Sequence, residues 1–528
     1  MFIRKVSVAA LAIFVASIVP ADAQVTPASV TMDGDYRVRG FFLTHPDLEP
    51  DVQPNVQRYL QHRLRLQPHF FVNELISMHV QADAMDNQIW GANPGDLLTQ
   101  STEDRQPNAV LKRAHAEVRS QIGLFQVGRQ ASHWGMGMVD NDGLGFRNEF
   151  GDAFEGTTFD RIQFSTQPLG PETPLTLALM YDKIIESDVE DISAVRRQKG
   201  DVDQFGLSLL YDEGDLTAGF YGRYRSQSRT DTTMWIPDVY VAYDDGSFHA
   251  SAEIAAFLGQ TSSFVTFLSP GQTLVDGDVE QTVDNFTLAQ PSVDLSAFGA
   301  VAEVGYRPMT TLDLALEFGF ASGDDATQIS DGTFSTFSFN RDYNVGLLMF
   351  QEANRFLTAQ RLENLRNAFQ TPGAVVPEAR LDEFCLEPQQ CVNATDLTDR
   401  QAMDDFLFQT AESLVPTHGA VRNAYYVFPK VRYQPFETLH TVLGVLWAQA
   451  PEDVETRVLA DAADPLGPRE TAKNYGFEVD LAVEYRYTEN LRVGVQAGWF
   501  RPGDIFQRAD ASRAPSMFLV QPRFTVIF

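Results

Sequence analysis

The sequence predicts an all-β protein: a transmembrane antiparallel β-barrel of about eighteen strands, with long extracellular loops and short periplasmic turns. Three observations carry this. Period-2 alternation of apolar and polar residues recurs along almost the whole chain, as in strands with two unlike faces. Eighteen such segments, an even number, can be marked. Their connections alternate between short and long.

The first element is a leader. Residues 1–23 carry a charged start (Arg4, Lys5), an apolar run from Val6 to Val19, and Ala21-Asp22-Ala23 before Gln24. That order marks a secretory signal peptide cleaved near Ala23. The apolar run is short of the ~20 residues a spanning helix needs. Residues 24–528 form the barrel, in the outer membrane of a Gram-negative bacterium.

The strands are expected near 35–44, 56–67, 75–85, 111–119, 122–131, 158–166, 175–182, 203–212, 216–225, 235–244, 248–257, 296–306, 312–321, 424–434, 439–449, 475–487, 491–501 and 517–528. Phe477 to Tyr487 shows the rule: odd positions are apolar or aromatic, and Glu478, Asp480, Ala482, Glu484 and Arg486 fall between. Short connections include Glu213-Gly214-Asp215 and 435–438; long ones are 86–110, 132–157, 183–202, 258–295, 322–423 and 450–474. A soluble β-sandwich or propeller would alternate too, but its connections need not sort by length. A barrel sorts them, and only a closed barrel satisfies strand backbones within lipid. Tyr181, Tyr211, Tyr224, Tyr306, Tyr485, Tyr487 and Trp499 stand at strand ends, where interfacial girdles lie. The last strand ends in Phe528, as in barrels recognised by the outer-membrane assembly machinery.

Composition excludes other classes. With 40 Lys+Arg against 71 Asp+Glu, a balance of −31, nucleic acid is not an expected partner. A hydrophobic content of 44% with 39 Phe excludes general disorder. Nine scattered His show no metal-ligand spacing, and no nucleophile-elbow, zincin or phosphate-loop motif occurs. No enzyme activity, cofactor or metal is expected. Asp140-Asn141-Asp142-Gly143 lacks the remaining calcium ligands and reads as a solvated turn.

Pleat parity places Arg37, Arg39, Arg63, Arg65, Arg113, Arg119, Arg161, Arg223, Arg225, Lys430, Arg432, Arg486, Arg492 and Arg523 on the inner wall. Asp83, Glu117, Glu253, Glu303, Asp313, Glu317, Glu478, Asp480 and Glu484 face the same way. Arg129 is included among the pore-lining arginines, although its parity matches Phe125 and Val127 and an inward direction needs a bulge. The wall is then net basic, with the missing negative charge in the loops. Two readings follow: ladders of paired charges that stabilise the wall, or an electropositive path for anions.

Arg58 to Gln67, Val127-Gly128-Arg129-Gln130 and above all Tyr475 to Asp504 resemble the alginate-export type of outer-membrane barrel. The resemblance implies eighteen strands and an Arg-lined pore for an anionic polysaccharide. Ala131 to Gly143 and the long loop 322–423 depart from that pattern, and resemble barrels of predatory and social bacteria. The expected function is therefore a channel, porin or exporter, for a polar, anionic or saccharide solute. The alternative is a loop-plugged adhesin or structural barrel.

Loop 322–423 holds Cys385 and Cys391, expected to pair in an oxidising compartment, and a helical spacing over Ala353 to Phe369. Its Ser338 to Phe350 is rich in large apolar groups. Such a run should bury itself inside the barrel and constrict the pore.

Overall fold

The computed structural model describes residues 28–50, 55–90, 109–145, 148–153, 156–184, 202–227, 231–262, 266–268, 273–276, 279–282, 287–289, 292–324, 332–357, 420–459 and 469–528. The leader and the cysteine pair lie outside these residues, as does the expected helix beyond position 357.

All eighteen expected strands are present: β1 (Ser29–Thr44), β2 (Val56–Phe71), β3 (Ile76–Ile89), β4 (Ala109–Ser120), β5 (Gly123–Ala131), β6 (Thr158–Thr166), β7 (Leu175–Ile184), β8 (Val202–Glu213), β9 (Leu216–Gln227), β10 (Thr232–Asp244), β11 (Phe248–Thr261), β12 (Val293–Met309), β13 (Leu312–Ala321), β14 (Ala424–Phe436), β15 (Leu439–Leu459), β16 (Arg469–Thr488), β17 (Leu491–Pro502) and β18 (Met517–Ile527). Each pairs antiparallel with its neighbours in sequence, and β18 returns to pair with β1, from Asp35↔Ile527 to Thr44↔Phe518. The wall is closed and leaves no sheet edge, as lipid requires. Closure is completed at the chain end. The Phe528 and Gly34 backbones exchange two hydrogen bonds of 2.9 and 3.0 Å, and the Phe528 ring lies where a Cβ on Gly34 would be.

Connections of two to eight residues close one end, and most of those at the other end are longer. β15 and β16 run to 21 and 20 residues, well past the ~10 that cross a membrane, because their ladder continues beyond the lipid zone.

The outer face is apolar. Leu111, Val127, Leu207, Ile254, Leu316 and Val493 are among its exposed side chains. Tyr211, Tyr306, Tyr485 and Tyr487 ring the short-turn end. Aromatic pairs such as Tyr181–Phe205 (5.2 Å), Tyr224–Trp235 (4.8 Å) and Phe477–Trp499 (5.9 Å) ring the other. An apolar belt between two aromatic girdles is the exterior of an outer-membrane barrel. The buried core lies within the barrel, between the wall and chain folded into the lumen.

Candidate functional site: a lumen entered by two loop segments

Two segments enter the barrel from the long-loop end: the described residues of 132–157 (132–145, 148–153 and 156–157), between β5 and β6, and residues 338–357, between β13 and β14. The inward course of residues 338–350 was expected, whereas that of 132–157 corrects the expectation of an extracellular loop. Each segment is fastened by a carboxylate of the wall that accepts a run of successive backbone N–H groups. Glu253 on β11 accepts from Met136 (2.5 Å), Gly137 (3.1 Å), Met138 and Val139 (both 3.3 Å). Glu478 on β16 accepts from Leu347 (2.6 Å), Leu348 (2.7 Å) and Met349 (2.6 Å). Successive amides turned to one point form an anion nest. The turn depends on glycine: Gly137 has φ +87° and Gly346 φ +74°, a region that side chains with a Cβ avoid. A Cβ on Gly346 would also come within 2.9 Å of Glu478 Oε1. The chain after Gln130 thus wraps around Glu253.

The segments also hold each other. Asn344 donates to the Asp152 carbonyl at 2.6 Å, Asn148 to the Asp342 carbonyl at 2.8 Å, and Asn340 to the Val139 carbonyl at 3.0 Å. The Gly156 amide donates to the Asp342 carboxylate at 2.6 Å.

The first segment is bound through charge. Asp152 meets Arg37 at 2.5 Å and Arg39 at 3.1 Å. Burial pushes its pKa up, but Arg37, Arg39, Arg523 and Arg63 outweigh this and hold it below the ordinary carboxylate range. Asp140 meets Arg223 at 2.7 Å; Glu149 meets Lys430 at 3.0 Å and also Arg432. Arg113 donates to the Asp142 carbonyl and Arg523 to the Gly151 carbonyl. The Asp140–Gly143 turn is accordingly not solvated: Asp140 and Asn141 are buried against the wall.

The second segment is bound through apolar contact. Leu347, Leu348, Met349 and Phe350 are at most 2% exposed and share a cluster with Phe428, Leu446 and Phe500 of the wall. The inward burial expected for Ser338–Phe350 is present. The helical stretch expected from Ala353 begins as one wide turn, Met349–Asn354, and continues to the last described position, 357. The Tyr343 hydroxyl donates to Glu317 at 3.0 Å, and burial followed by the Glu317 charge pushes its pKa well above the ordinary tyrosine value.

Most expected inner-wall arginines do face inward, but they are not a free basic surface. Arg65 forms a two-pronged bond to Asp83 (2.8 and 2.7 Å) and Arg161 to Asp182 (2.6 and 2.9 Å). Arg63 lies 3.4 Å from Asp35, and Arg225 donates to Gln204. Arg119, Arg486 and Arg492 lie near the short-turn end; Arg119 is exposed, and the other two face Glu484 loosely, at 3.4 and 3.9 Å. The net-basic wall is thus corrected. Asp35, Asp182 and Asp238 add wall acids, and Asp140, Glu149 and Asp152 bring loop charge inside. Arg129 is a second correction. The β4–β5 and β5–β6 registers run without a bulge, so Arg129 lies on the outer face, bound to Asp160 at 2.8 and 3.0 Å.

The sequence reading also missed a row of imidazoles. His69, His79 and His115 stand directly opposite one another on β2, β3 and β4, and the facing Nδ1 atoms of His69 and His79 are 2.6 Å apart. Glu117 lies 3.6 Å from His79 and 3.7 Å from His115. The row is invisible to sequence spacing because cross-strand register creates it. Among the described residues no three potential ligands converge as a metal would require.

A cavity of about 230 Å³ opens where both segments meet β10–β14. Its lining includes Glu149, Tyr343, Lys430 and Arg432.

No protein-family model matches the chain, and no curated protein matches it in sequence. Solved outer-membrane proteins are similar in structure. Pseudomonas aeruginosa OccK9 (OpdG) has 10% identity and a TM-score of 0.46, covering 96% of this chain and 100% of its own. P. aeruginosa OpdK, solved with vanillate, has 10% identity and a TM-score of 0.45, covering 94% and 98%. An anion-selective porin from Comamonas acidovorans has 9% identity and a TM-score of 0.39, covering 95% and 100%. Likeness at this level concerns the barrel alone.

Proposed function

We propose that this barrel is an outer-membrane channel for a small polar solute, its conduit narrowed by segments 132–157 and 338–357. One observation carries the reading: a polar cavity inside the lumen, lined by both segments and by the wall. Lumenal constrictions with fixed polar groups are how channels select. The chain would be exported by its leader, cleaved near Ala23, and inserted by the assembly machinery through the strand ending in Phe528. Arg119, Arg486 and Arg492 would be among the basic residues that meet a solute at the short-turn mouth. The alginate-export resemblance of Tyr475–Asp504 supports a saccharide class. It does not extend to an anionic preference, because the arginines on which that rested have partners.

The apolar packing of Leu347–Phe350 favours a second reading, a barrel closed by its loops that serves as an adhesin or structural element. Planar-bilayer recording of the refolded protein separates the two. Discrete single-channel steps are expected. A silent bilayer, both with the full chain and with residues 338–350 replaced by an equally long Gly/Ser linker, would leave the closed barrel standing.

A further inference from the structure

The cavity where the two segments meet the wall has a composition that specifies more than polarity. Its charges come from Glu149, Glu303, Glu317, Lys430 and Arg432, three acids against two bases. The bases are spent on the acids. Lys430 Nζ lies 3.0, 2.5 and 2.7 Å from Glu149, Glu303 and Glu317, which uses all three of its protons. Arg432 donates to Glu149, to Asp313 at 3.2 Å, and to both oxygens of Glu303 at 2.8 Å. An anionic ligand would meet an acidic surplus and no cation awaiting a partner, a juxtaposition of like charges.

The same lining suits a group that both donates and accepts hydrogen bonds. A carboxylate oxygen bound to Lys430 or Arg432 retains lone pairs for a hydroxyl, and the Ser251 hydroxyl can play either part. Phe150, Phe428 and Tyr240 add aromatic surface, which accommodates an apolar C–H face. The volume, about 230 Å³, is below the ~300–1,000 Å³ of pockets for drug-sized ligands. Hydroxyls around a rim, apolar faces, no negative charge and small size together fit a sugar ring.

We propose that this cavity binds a single neutral sugar ring and discriminates against its carboxylated counterpart. The proposal rests on the channel reading for its physiological meaning, but the site can be tested separately. Glu149 is the discriminating residue, since it belongs to an inserted segment and supplies the surplus negative charge.

The experiment compares glucose with glucuronate on the refolded, full-length barrel. Interruptions of single-channel current are recorded in bilayers, and intrinsic tryptophan fluorescence is titrated in detergent. Glucose is expected to bind about tenfold more tightly than glucuronate, a difference of ~1.4 kcal/mol. Glu149→Gln should remove most of that ratio by strengthening glucuronate, with folding checked by heat-modifiable gel migration. Ser251→Ala provides a milder variant, expected to weaken glucose by about two- to tenfold. Equal affinity for the two sugars, or no glucose response by either method, would overturn the proposal. Glucose binding in detergent without conductance would keep the site and remove the channel.

Discussion

Segment 132–157 enters the lumen with Asp140, Glu149 and Asp152, each of which meets a wall base, whereas residues 338–357 enter with Leu347, Leu348, Met349 and Phe350, each set into apolar wall. Both are pinned by one wall carboxylate in a nest of amides, so the backbone device is shared; the first segment adds Met138 and Phe150 to the apolar cluster but is set apart by its buried ion pairs. The difference follows the neighbours. The ionic segment lies against rows of arginine on β1, β2, β9 and β18, and buried guanidinium groups need counter-charges. The apolar segment lies against Tyr426, Phe428, Leu446 and Phe500, where the cost of leaving it in water drives it inward. One loop neutralises the wall; the other fills it.

The comparison can be broken most severely at Asp152. Asp152→Asn removes the carboxylate that meets both Arg37 and Arg39, and breaking a buried ion pair from one side costs ~3–5 kcal/mol. The first segment should leave the lumen, and hydrogen exchange at the Met136–Val139 amides should accelerate while the barrel remains folded.

Phe350→Ala tests the other anchor. A fully buried phenylalanine truncated to alanine costs ~3–5 kcal/mol, less where the site can collapse. Here the expected effect is local loosening of residues 338–357, read as more frequent current fluctuations, with no change in the salt dependence of conductance.

Acid separates the anchors by a smaller effect. Asp152 has a folded pKa held below its unfolded value, so its contribution is present above the unfolded carboxylate pKa of ~3.9 and is lost as pH falls through the depressed folded value. Retention of segment 132–157 at pH 4, with release only in stronger acid, is expected by proteolysis or hydrogen exchange. The apolar contacts of Leu347–Phe350 contain no titrating group, so an acid response of residues 338–357 would come only through the Glu478 nest and not through Asp152.

Arg129→Ala should have the smallest effect. That side chain is partly exposed on the outer face and its pair with Asp160 contributes at most ~1 kcal/mol. Conductance and ion selectivity should stay at wild-type values; a shift in reversal potential would put Arg129 back in the lumen.

These contrasts also explain what was readable in the sequence. The strands were, because alternation is a local property; all eighteen are present near where it placed them, but β15 and β16 extend to Leu459 and back to Arg469 and so take up most of the long connection expected at 450–474. Inward burial of Ser338–Phe350 was readable because the run is apolar. The insertion of residues 132–157 was not, since five acids in a polar stretch look like a solvated loop until Arg37, Arg223 and Lys430 are seen opposite them. Parity assigned the arginines to a face but could not show what stood across the lumen. Asp182 and Asp238 were in view all along, on the inner parity of β7 and β10, and counting them would already have weakened the basic wall.

Single-channel conductance of the wild-type barrel, set beside a variant in which residues 338–350 are replaced by a Gly/Ser linker of equal length, tests the central claim most directly. If the inserted segments set the conduit, the variant should conduct severalfold more current per channel. Equal single-channel currents would place the segment outside the conducting path and contradict the account.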